Sequence, residues 1–236
     1  MTGIVVVCEA RADFHSVAAL LDRQIASIDW IGTNVDSFRE YLGQSGNKFV
    51  TWGEVRELAS QRNFRPQRGF NLGPDYVAAQ RALWVSREIA ERAHVTVLSR
   101  DSDKQLNRRG GLSGAATLAS RDQTVLVALA QPKIEAWWLA AIPENLANAE
   151  HRAELRTELG SDPLHSPHDI DASRPGAKRN IKQVWERISP DLGAGPDYLS
   201  VSSMEEIQTR GKHTGLPEFV AEVHSKLLPL FGQTPR

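Results

Sequence analysis

The chain has 236 residues, of which 41% are hydrophobic and 24% are charged, and its formal net charge is -1. This length and composition are typical of a soluble protein with one large domain, or with one domain and an appendage. No apolar run approaches the roughly 18 residues that a membrane-spanning helix needs, and no basic leader precedes the first apolar run, so we expect a cytoplasmic protein without a membrane partner. The near-neutral charge gives no global preference for nucleic acid, so any phosphate-binding surface must be local. Cys8 is the only cysteine, which excludes an intramolecular disulfide and a multi-cysteine zinc site.

Three apolar runs predict buried strands of a mostly parallel sheet. They cover residues 4–8, 95–99 and 124–130, and each is a short, continuous stretch rich in aliphatic and β-branched side chains. An apolar face at helical spacing predicts a helix over 12–25, and the return to apolar residues at 28–31 predicts a short strand that completes a βαβ unit. We therefore expect an α/β, Rossmann-like fold.

The remaining segments are predicted to be mainly helical. Segment 32–73 interrupts the alternation of strands and helices, and we interpret it as an insertion over the active edge of the sheet. Helices are predicted, in chain order, at 35–42, 52–62 and 74–92, in a short segment ending at 118, from Pro132 onward, and at 152–159, 177–188 and 216–227. We expect residues 1–143 to form the α/β core, with its sheet flanked by helices, and residues 144–236 to form additional C-terminal helices packed on that core.

Acidic residues follow the three predicted strands. Glu9 ends the first, Asp101 and Asp103 follow the second, and Glu135 comes a few residues after the third. In a parallel sheet the carboxyl ends of the strands lie at one edge, so these side chains are expected to converge. Clustered carboxylates form an oxygen-ligand site for Mg²⁺ or Mn²⁺. A solvated turn explains the two aspartates equally well, and a glutamate in the first turn of a helix is also favoured by the helix dipole.

Two of these elements resemble a known family. The glutamate that ends the first strand, in Val-Val-Val-Cys-Glu-Ala-Arg-Ala-Asp, is followed much later by a hydrophobic strand and Asp-Ser-Asp. This arrangement of Glu9, Asp101 and Asp103 resembles the TOPRIM domain of topoisomerases, primases and OLD-family nucleases. A glycine usually follows the glutamate in TOPRIM domains, whereas this chain has Ala10 at that position.

A third element makes the resemblance more specific. The sequence Gln-Pro-Lys-Ile-Glu-Ala-Trp-Trp-Leu at 131–139 is similar to part of the small stand-alone TOPRIM-like proteins related to RloB, which occur with bacterial defence systems. The match runs from residue 3 to about residue 140. It implies a TOPRIM-like fold and a Mg²⁺- or Mn²⁺-dependent nuclease, or a related phosphodiesterase, that acts on DNA or RNA in anti-phage defence. A second defence-system protein is an implied partner.

The resemblance also assigns roles to the acids. It implies that Asp101 and Asp103 bind the metal, that Glu9 is a metal ligand or general acid/base, and that Glu135 completes or orients the site. Asp13, one helical turn after Glu9, is a further candidate close to the ligands. The attacking nucleophile would be water activated by the metal.

Basic residues near the acids are candidates for binding substrate phosphates. We expect this role first for the residues around the Asp-Ser-Asp loop, which are Arg100, Lys104, Arg108 and Arg109. Two other basic clusters are further candidates for binding phosphate, although basic loops are usually just solvated. They consist of Arg62, Arg65 and Arg68, and of Arg174, Lys178, Arg179 and Lys182. His165, His168 and Asp169 have the spacing of a transition-metal site, but so short a match in a polar loop is frequent by chance.

Two other functions fit the same residues. A regulatory TOPRIM-like subunit would keep the scaffold and bind nucleic acid or another protein without catalysis. A nucleotide-sugar transferase would use the two aspartates to hold a metal-diphosphate. Tight partner binding that survives loss of the acids would favour the first alternative, and binding of a nucleotide sugar that is insensitive to Glu9→Gln would favour the second.

Overall fold

The structure is a computed structural model that describes residues 1–67, 73, 75–90, 94–105, 107–119, 123–172, 174 and 176–232. Arg68, which belongs to one of the two other basic clusters, lies outside these residues, as do Pro74 and Arg92 at the ends of a predicted helix. The chain divides into two compact units. The first comprises Met1–Arg100, Gln105–Leu129 and Phe219–Arg236, and the second comprises Asp101–Lys104 and Ala130–Glu218.

A parallel sheet of five strands, flanked by helices, gives the protein an α/β, Rossmann-like fold. The strands are β1 (Thr2–Cys8), β2 (Arg39–Leu42), β3 (Val50–Thr51), β4 (His94–Asp101) and β5 (Thr124–Ala130). Their order is β2-β1-β4-β5, and β3 also pairs with β1. Val5 lies opposite Thr96 and Val7 opposite Leu98, so β1 and β4 end at the same edge of the sheet. The three strands predicted from apolar runs are confirmed.

Helices of the first unit cover the sheet because their apolar faces match its buried strands. They are α1 (Arg11–Ala26), α2 (Trp52–Gln61), α3 (Tyr76–Ile89) and α4 (Arg108–Ala119). Buried residues of α2, α3 and α4 share one hydrophobic cluster with β1, β4 and β5. Residues 4–8 are completely buried, as expected for a strand covered on both faces. The helices predicted near 12–25, 52–62, 74–92 and 118 are thus found with small shifts at their ends.

The strand predicted at 28–31 is wrong. The backbone N–H of Ile28 donates to Ile25 O and that of Ile31 donates to Ile28 O, so the chain continues in helical turns after α1. Ile28 and Ile31 are buried and Trp30 is exposed. A short apolar run such as 28–31 is compatible with a strand and also with a turn that buries two side chains. In this protein tertiary packing stabilises the turn.

The interpretation of segment 32–73 as an insertion over the sheet edge also needs correction. Residues Gly32–Ser37 form a 3-10 helix, and the helix predicted over 35–42 is replaced by β2. Arg39 and Tyr41, two residues apart on this strand, both contact the Asp22 carboxylate of α1. Because alternate residues of a strand point to the same side, these contacts favour the extended conformation. The segment therefore contributes β2 and β3 to the sheet itself.

The second unit is built from short helices around buried aromatic residues. These helices are α5 (Glu135–Ala141), α6 (Ala149–Leu159), α7 (Ile181–Ile188), α8 (Gly195–Val201) and α9 (Met204–Arg210). Trp137 is completely buried, and the ring centroids of Trp138 and Trp185 lie 5.4 Å apart. A side chain at Gly195 would collide with the Trp138 ring, so this packing requires glycine there. The helices α8 and α9 were not predicted.

The final helical segment changes its hydrogen-bonding pattern. It consists of α10 (Leu216–Glu222), a π-helical turn (Val223–Leu227) and a 3-10 turn (Leu228–Phe231), where the sequence predicted one helix over 216–227. The two compact units also divide the chain differently from the boundary expected at residue 143. The helix α5 belongs to the second unit, and the chain from Phe219 onward belongs to the first.

In the part of the chain that the structure describes, no helix combines the length and the apolar character that spanning a bilayer requires.

Candidate functional site

The loop after β4 is held in an unusual backbone conformation. The N–H of Ser102 donates to Ala130 O over 2.8 Å, and the N–H of Asp103 donates to Pro132 O over 3.3 Å. Asp103 has a φ of 46° and Lys104 a φ of 64°, so two consecutive non-glycine residues lie in the left-handed region. Such conformations cost about 1–2 kcal/mol per residue and concentrate at functional sites. The loop is therefore a candidate site on conformational grounds alone.

Lys133 lies among the acids of this loop. Its Nζ is 3.2 Å from Asp103 Oδ1 and 3.9 Å from Asp101 Oδ2. The other oxygen of Asp101, Oδ1, accepts a hydrogen bond of 2.9 Å from the N–H of Ile134. The two aspartates predicted to bind metal therefore face one position, and an ammonium group takes that position.

Glu135 extends this group of charges. It begins α5, its side chain is only 8% exposed, and its Oε1 lies 3.8 Å from the Nζ of Lys182. Burial lowers the pKa of Lys133, but the charge of Asp103 and a hydrogen bond to it, together with the charges of Asp101 and Glu135, outweigh burial and raise this pKa. Lys133 thus remains an ammonium ion at neutral pH. We refer to Asp101, Asp103, Lys133 and Glu135 as the lysine-acid cluster.

Lys104, a predicted phosphate ligand, forms an ion pair at the same loop. Its Nζ lies 2.9 Å from Asp171 Oδ2, and both side chains are about half exposed. An exposed pair of this kind contributes only about 0–1 kcal/mol to stability. A phosphate can therefore compete for Lys104 at small cost.

Glu9, in the first unit, is described in a different environment. Arg100 Nε lies 3.8 Å from Glu9 Oε1 and 3.5 Å from Asp75 Oδ1. The Arg100 guanidinium stacks on Trp52, 4.7 Å above the ring centroid, and the Trp52 indole N–H donates to Ser99 O. Trp52 was not predicted to belong to the site, and its stacking on Arg100 could not be inferred from sequence spacing.

Arg108 has a structural partner. Its Nε lies 2.7 Å from Asp75 Oδ2, and the two side chains are only 7% and 11% exposed. Asp75 has a φ of 66°. A Cβ on nearby Gly73 would come within 2.8 Å of Asn107 O, so the chain before α3 lies tightly against the start of α4. The buried ion pair thus joins these two segments.

Each of the four basic residues around the Asp-Ser-Asp loop that are predicted to bind phosphate thus has an acidic neighbour. Arg100 and Arg108 share Asp75, Lys104 pairs with Asp171, and Arg109 Nη1 lies 3.9 Å from Glu222 Oε1. Their common role as a phosphate clamp stays a prediction.

Asp13 has a clear structural role. Its Oδ2 accepts hydrogen bonds from the N–H groups of Glu9 and Ala10, each 3.0 Å long. These bonds satisfy backbone donors at the start of α1 and place a negative charge at its N-terminus, which the helix dipole favours. Asp13 therefore supports the turn that carries Glu9.

Two carboxylates of this site are candidate ligands of a divalent cation. Within the described residues, no group of three or more His, Cys, Asp or Glu side chains is placed to hold a metal ion. Mg²⁺, however, is often bound by one or two carboxylates together with water and substrate phosphates. Asp101 and Asp103 supply such a pair of oxygen donors, and the Lys133 ammonium stands in for a cation between them.

The two histidines considered for a transition-metal site, His165 and His168, have separate neighbours. His165 Nε2 lies 3.3 Å from Glu144 Oε1, whereas the ring of His168 packs against that of His213 with centroids 4.9 Å apart. The Arg179 guanidinium donates to the carbonyl oxygens of Asp169 and Leu159. Arg179 therefore supports the loop.

Cys8 is buried at the end of β1, as predicted. Burial raises the pKa of the Cys8 thiol far above its ordinary value, with a further increase from the charge of Asp13. The thiol is therefore neutral at physiological pH. A neutral thiol is a poor nucleophile and a poor metal ligand.

Lys133 is a second site residue, after Trp52, that was not predicted from the sequence. The sequence places it only near the start of the helix predicted from Pro132 onward. Its position immediately before Ile134 and Glu135, in the segment after a buried strand, was the available signal.

Comparisons with known proteins add no relative: no protein-family model, no curated protein and no solved structure matches this chain.

Proposed function

We propose that the chain is a cytoplasmic, metal-dependent phosphodiesterase with a TOPRIM-like centre, and that it cleaves nucleic acid in anti-phage defence. The observation that carries the proposal is the convergence of Asp101 and Asp103 on one cation position at the end of β4. The left-handed backbone at Asp103 and Lys104 supports it, because strained loops are characteristic of functional sites.

The proposed roles follow from the chemistry of each side chain. Asp101 and Asp103 would hold Mg²⁺ or Mn²⁺, which when bound supplies an activated water and stabilises charge in phosphoryl transfer. Glu135 is almost buried beside Lys182, so it orients charges at the rim of the cluster. Glu9 remains the proposed additional ligand or general acid/base.

Three lysines of the second unit are proposed to bind the phosphates of the nucleic acid. Lys182 and Lys104 are exposed enough to contact solvent, and each lies next to an acid of the second unit. Together with Lys133 they offer three ammonium groups to a polyanion, although the net charge of the chain is only -1. Nucleic acid is therefore bound locally, through phosphate contacts that salt weakens.

The test is a cleavage assay on labelled single-stranded DNA, double-stranded DNA and RNA, with Mg²⁺, with Mn²⁺ and with a chelator. We expect metal-dependent cleavage of at least one substrate. Asp101→Asn/Asp103→Asn should reduce the rate by at least about 100-fold, since it removes both proposed metal ligands. Asp197→Asn is the matched control, because Asp197 is an exposed acid of the same unit without a proposed role. Cleavage that persists in the double variant would refute the assignment.

A second candidate function is supported by one observation. Lys133 already neutralises part of the acidic charge of Asp101 and Asp103. Such a cluster also suits a regulatory subunit that binds a defence protein or nucleic acid without catalysis. If wild type and the double variant capture the same nucleic acid equally well, and neither cleaves it, the regulatory function is favoured.

A further inference from the structure

Backbone hydrogen bonds on both sides of Lys133 position its ammonium group next to Asp101 and Asp103. The residue before it, Pro132, accepts a hydrogen bond from the N–H of Asp103, and the residue after it, Ile134, donates to the Asp101 carboxylate. The residues on both sides of Lys133 are thus hydrogen-bonded to the two aspartates that the Lys133 side chain contacts. Its position is a consequence of the loop geometry and does not depend on the side chain alone.

An ammonium in this position competes with a divalent cation. The Lys133 ammonium and a divalent cation need the same carboxylate oxygens of Asp101 and Asp103. Two cations that contact the same carboxylates also repel each other. A metal ion can occupy the site only when Lys133 moves away, and a half-buried ammonium that leaves its carboxylates needs another anion. A phosphate of bound nucleic acid is an anion of the required kind.

We propose that Lys133 is a built-in counter-ion that holds the cation position in the resting protein and moves to a phosphate when nucleic acid binds. Divalent cation and nucleic acid therefore bind cooperatively, because each favours the displaced position of Lys133. The inference rests on the proposed function, and it specifies how that same site is regulated. It predicts weak metal binding by the protein alone.

The first measurement is Mn²⁺ binding without nucleic acid, followed by electron paramagnetic resonance. Lys133→Met removes the charge with little change in volume and should tighten Mn²⁺ binding about tenfold or more, as expected for loss of a nearby like charge. Lys133→Arg keeps the charge and should bind Mn²⁺ as weakly as the wild type. Lys212→Met is the matched control, because Lys212 is an exposed lysine of the same unit without a proposed role, and it should also resemble the wild type.

The second measurement repeats the titration with uncleavable phosphorothioate DNA and RNA oligonucleotides in separate samples. With the oligonucleotide that binds, Mn²⁺ affinity of the wild type should rise about tenfold, whereas that of Lys133→Met should change little. Adding Asp101→Asn/Asp103→Asn to Lys133→Met should abolish the tight binding, which would place the ion at these aspartates.

Equal Mn²⁺ affinity of wild type and Lys133→Met would overturn the inference, and so would failure of Lys133→Met to bind Mn²⁺ at all. Thermal unfolding of each variant shows whether it is folded, and Lys133→Arg separates loss of charge from loss of packing. Failure of the proposed function gives a different result, in which cooperative binding is present but no substrate is cleaved.

Discussion

Arg108 and Asp75 form an ion pair with 2.7 Å between Nε and Oδ2, although both side chains are almost completely removed from solvent. Removing one partner of a buried pair leaves an uncompensated charge in a medium of low dielectric constant. The segment before α3 and the start of α4 therefore stabilise each other in their folded positions.

We expect Asp75→Asn to lower the free energy of unfolding by about 3 kcal/mol, because it removes the carboxylate charge that lies 2.7 Å from the buried Arg108 guanidinium. Asparagine tolerates the left-handed backbone at this position, so the substitution isolates the effect of charge. Urea denaturation measures the difference. Arg56→Ala, at an exposed position of α2, is the control and should change stability by less than about 0.5 kcal/mol. A small effect of Asp75→Asn would mean that solvent reaches the Arg108 guanidinium.

The left-handed backbone at Lys104 gives a second prediction. Lys104→Gly and Lys104→Ala both remove the ion pair with Asp171, and they differ only in how well the new residue adopts a φ of 64°. We expect the glycine variant to be more stable than the alanine variant by about 1 kcal/mol, since alanine carries a Cβ that is unfavourable in this region. Thermal and urea unfolding of the two variants provide the measurement. Alanine equal to glycine would show that this loop relaxes to another conformation.

The outer edge of β5 gives a third prediction. Glu222 Oε2 accepts a hydrogen bond from the N–H of Val127, and Lys226 Nζ donates to Val125 O. Glu222 and Lys226 also pair with each other over 2.9 Å. The β5 strand ends the sheet order, and uncovered edge groups promote pairing with another chain.

Glu222→Ala/Lys226→Ala should therefore increase self-association, which light scattering coupled to gel filtration measures over a range of concentrations. The control Glu218→Ala/Lys212→Ala makes the same change of charge at exposed positions and should leave the molar mass unaltered. A double variant that keeps the molar mass of the wild type at all concentrations would show that this edge is protected by other means.

Sequence patterns predicted those elements whose structure depends on local composition. The apolar runs at 4–8, 95–99 and 124–130 are continuous and rich in aliphatic and β-branched residues, which is typical of strands that are buried on both faces in an α/β protein. The amphipathic helices α1 and α3 were equally clear, because their apolar residues recur at helical spacing.

The polar elements depended on distant contacts. The strand β2 has little apolar character, and it is extended because Arg39 and Tyr41 contact Asp22 on α1. Residues 28–31 have the apolar character of a strand, but their backbone hydrogen bonds close helical turns. In both cases the partner side chains or packing surface come from elsewhere in the fold.

The candidate site shows the same division. By itself the sequence determined that Asp101 and Asp103 follow a buried strand, since that follows from the order of residues. Only the tertiary structure decided that Lys133 lies between them, because its ammonium is brought there by backbone hydrogen bonds from Asp103 to Pro132 and from Ile134 to Asp101. Residue spacing does not predict hydrogen bonds between two segments that are separated by a helix and a strand. These bonds nevertheless place the positive charge of Lys133 beside the negative charges of Asp101 and Asp103.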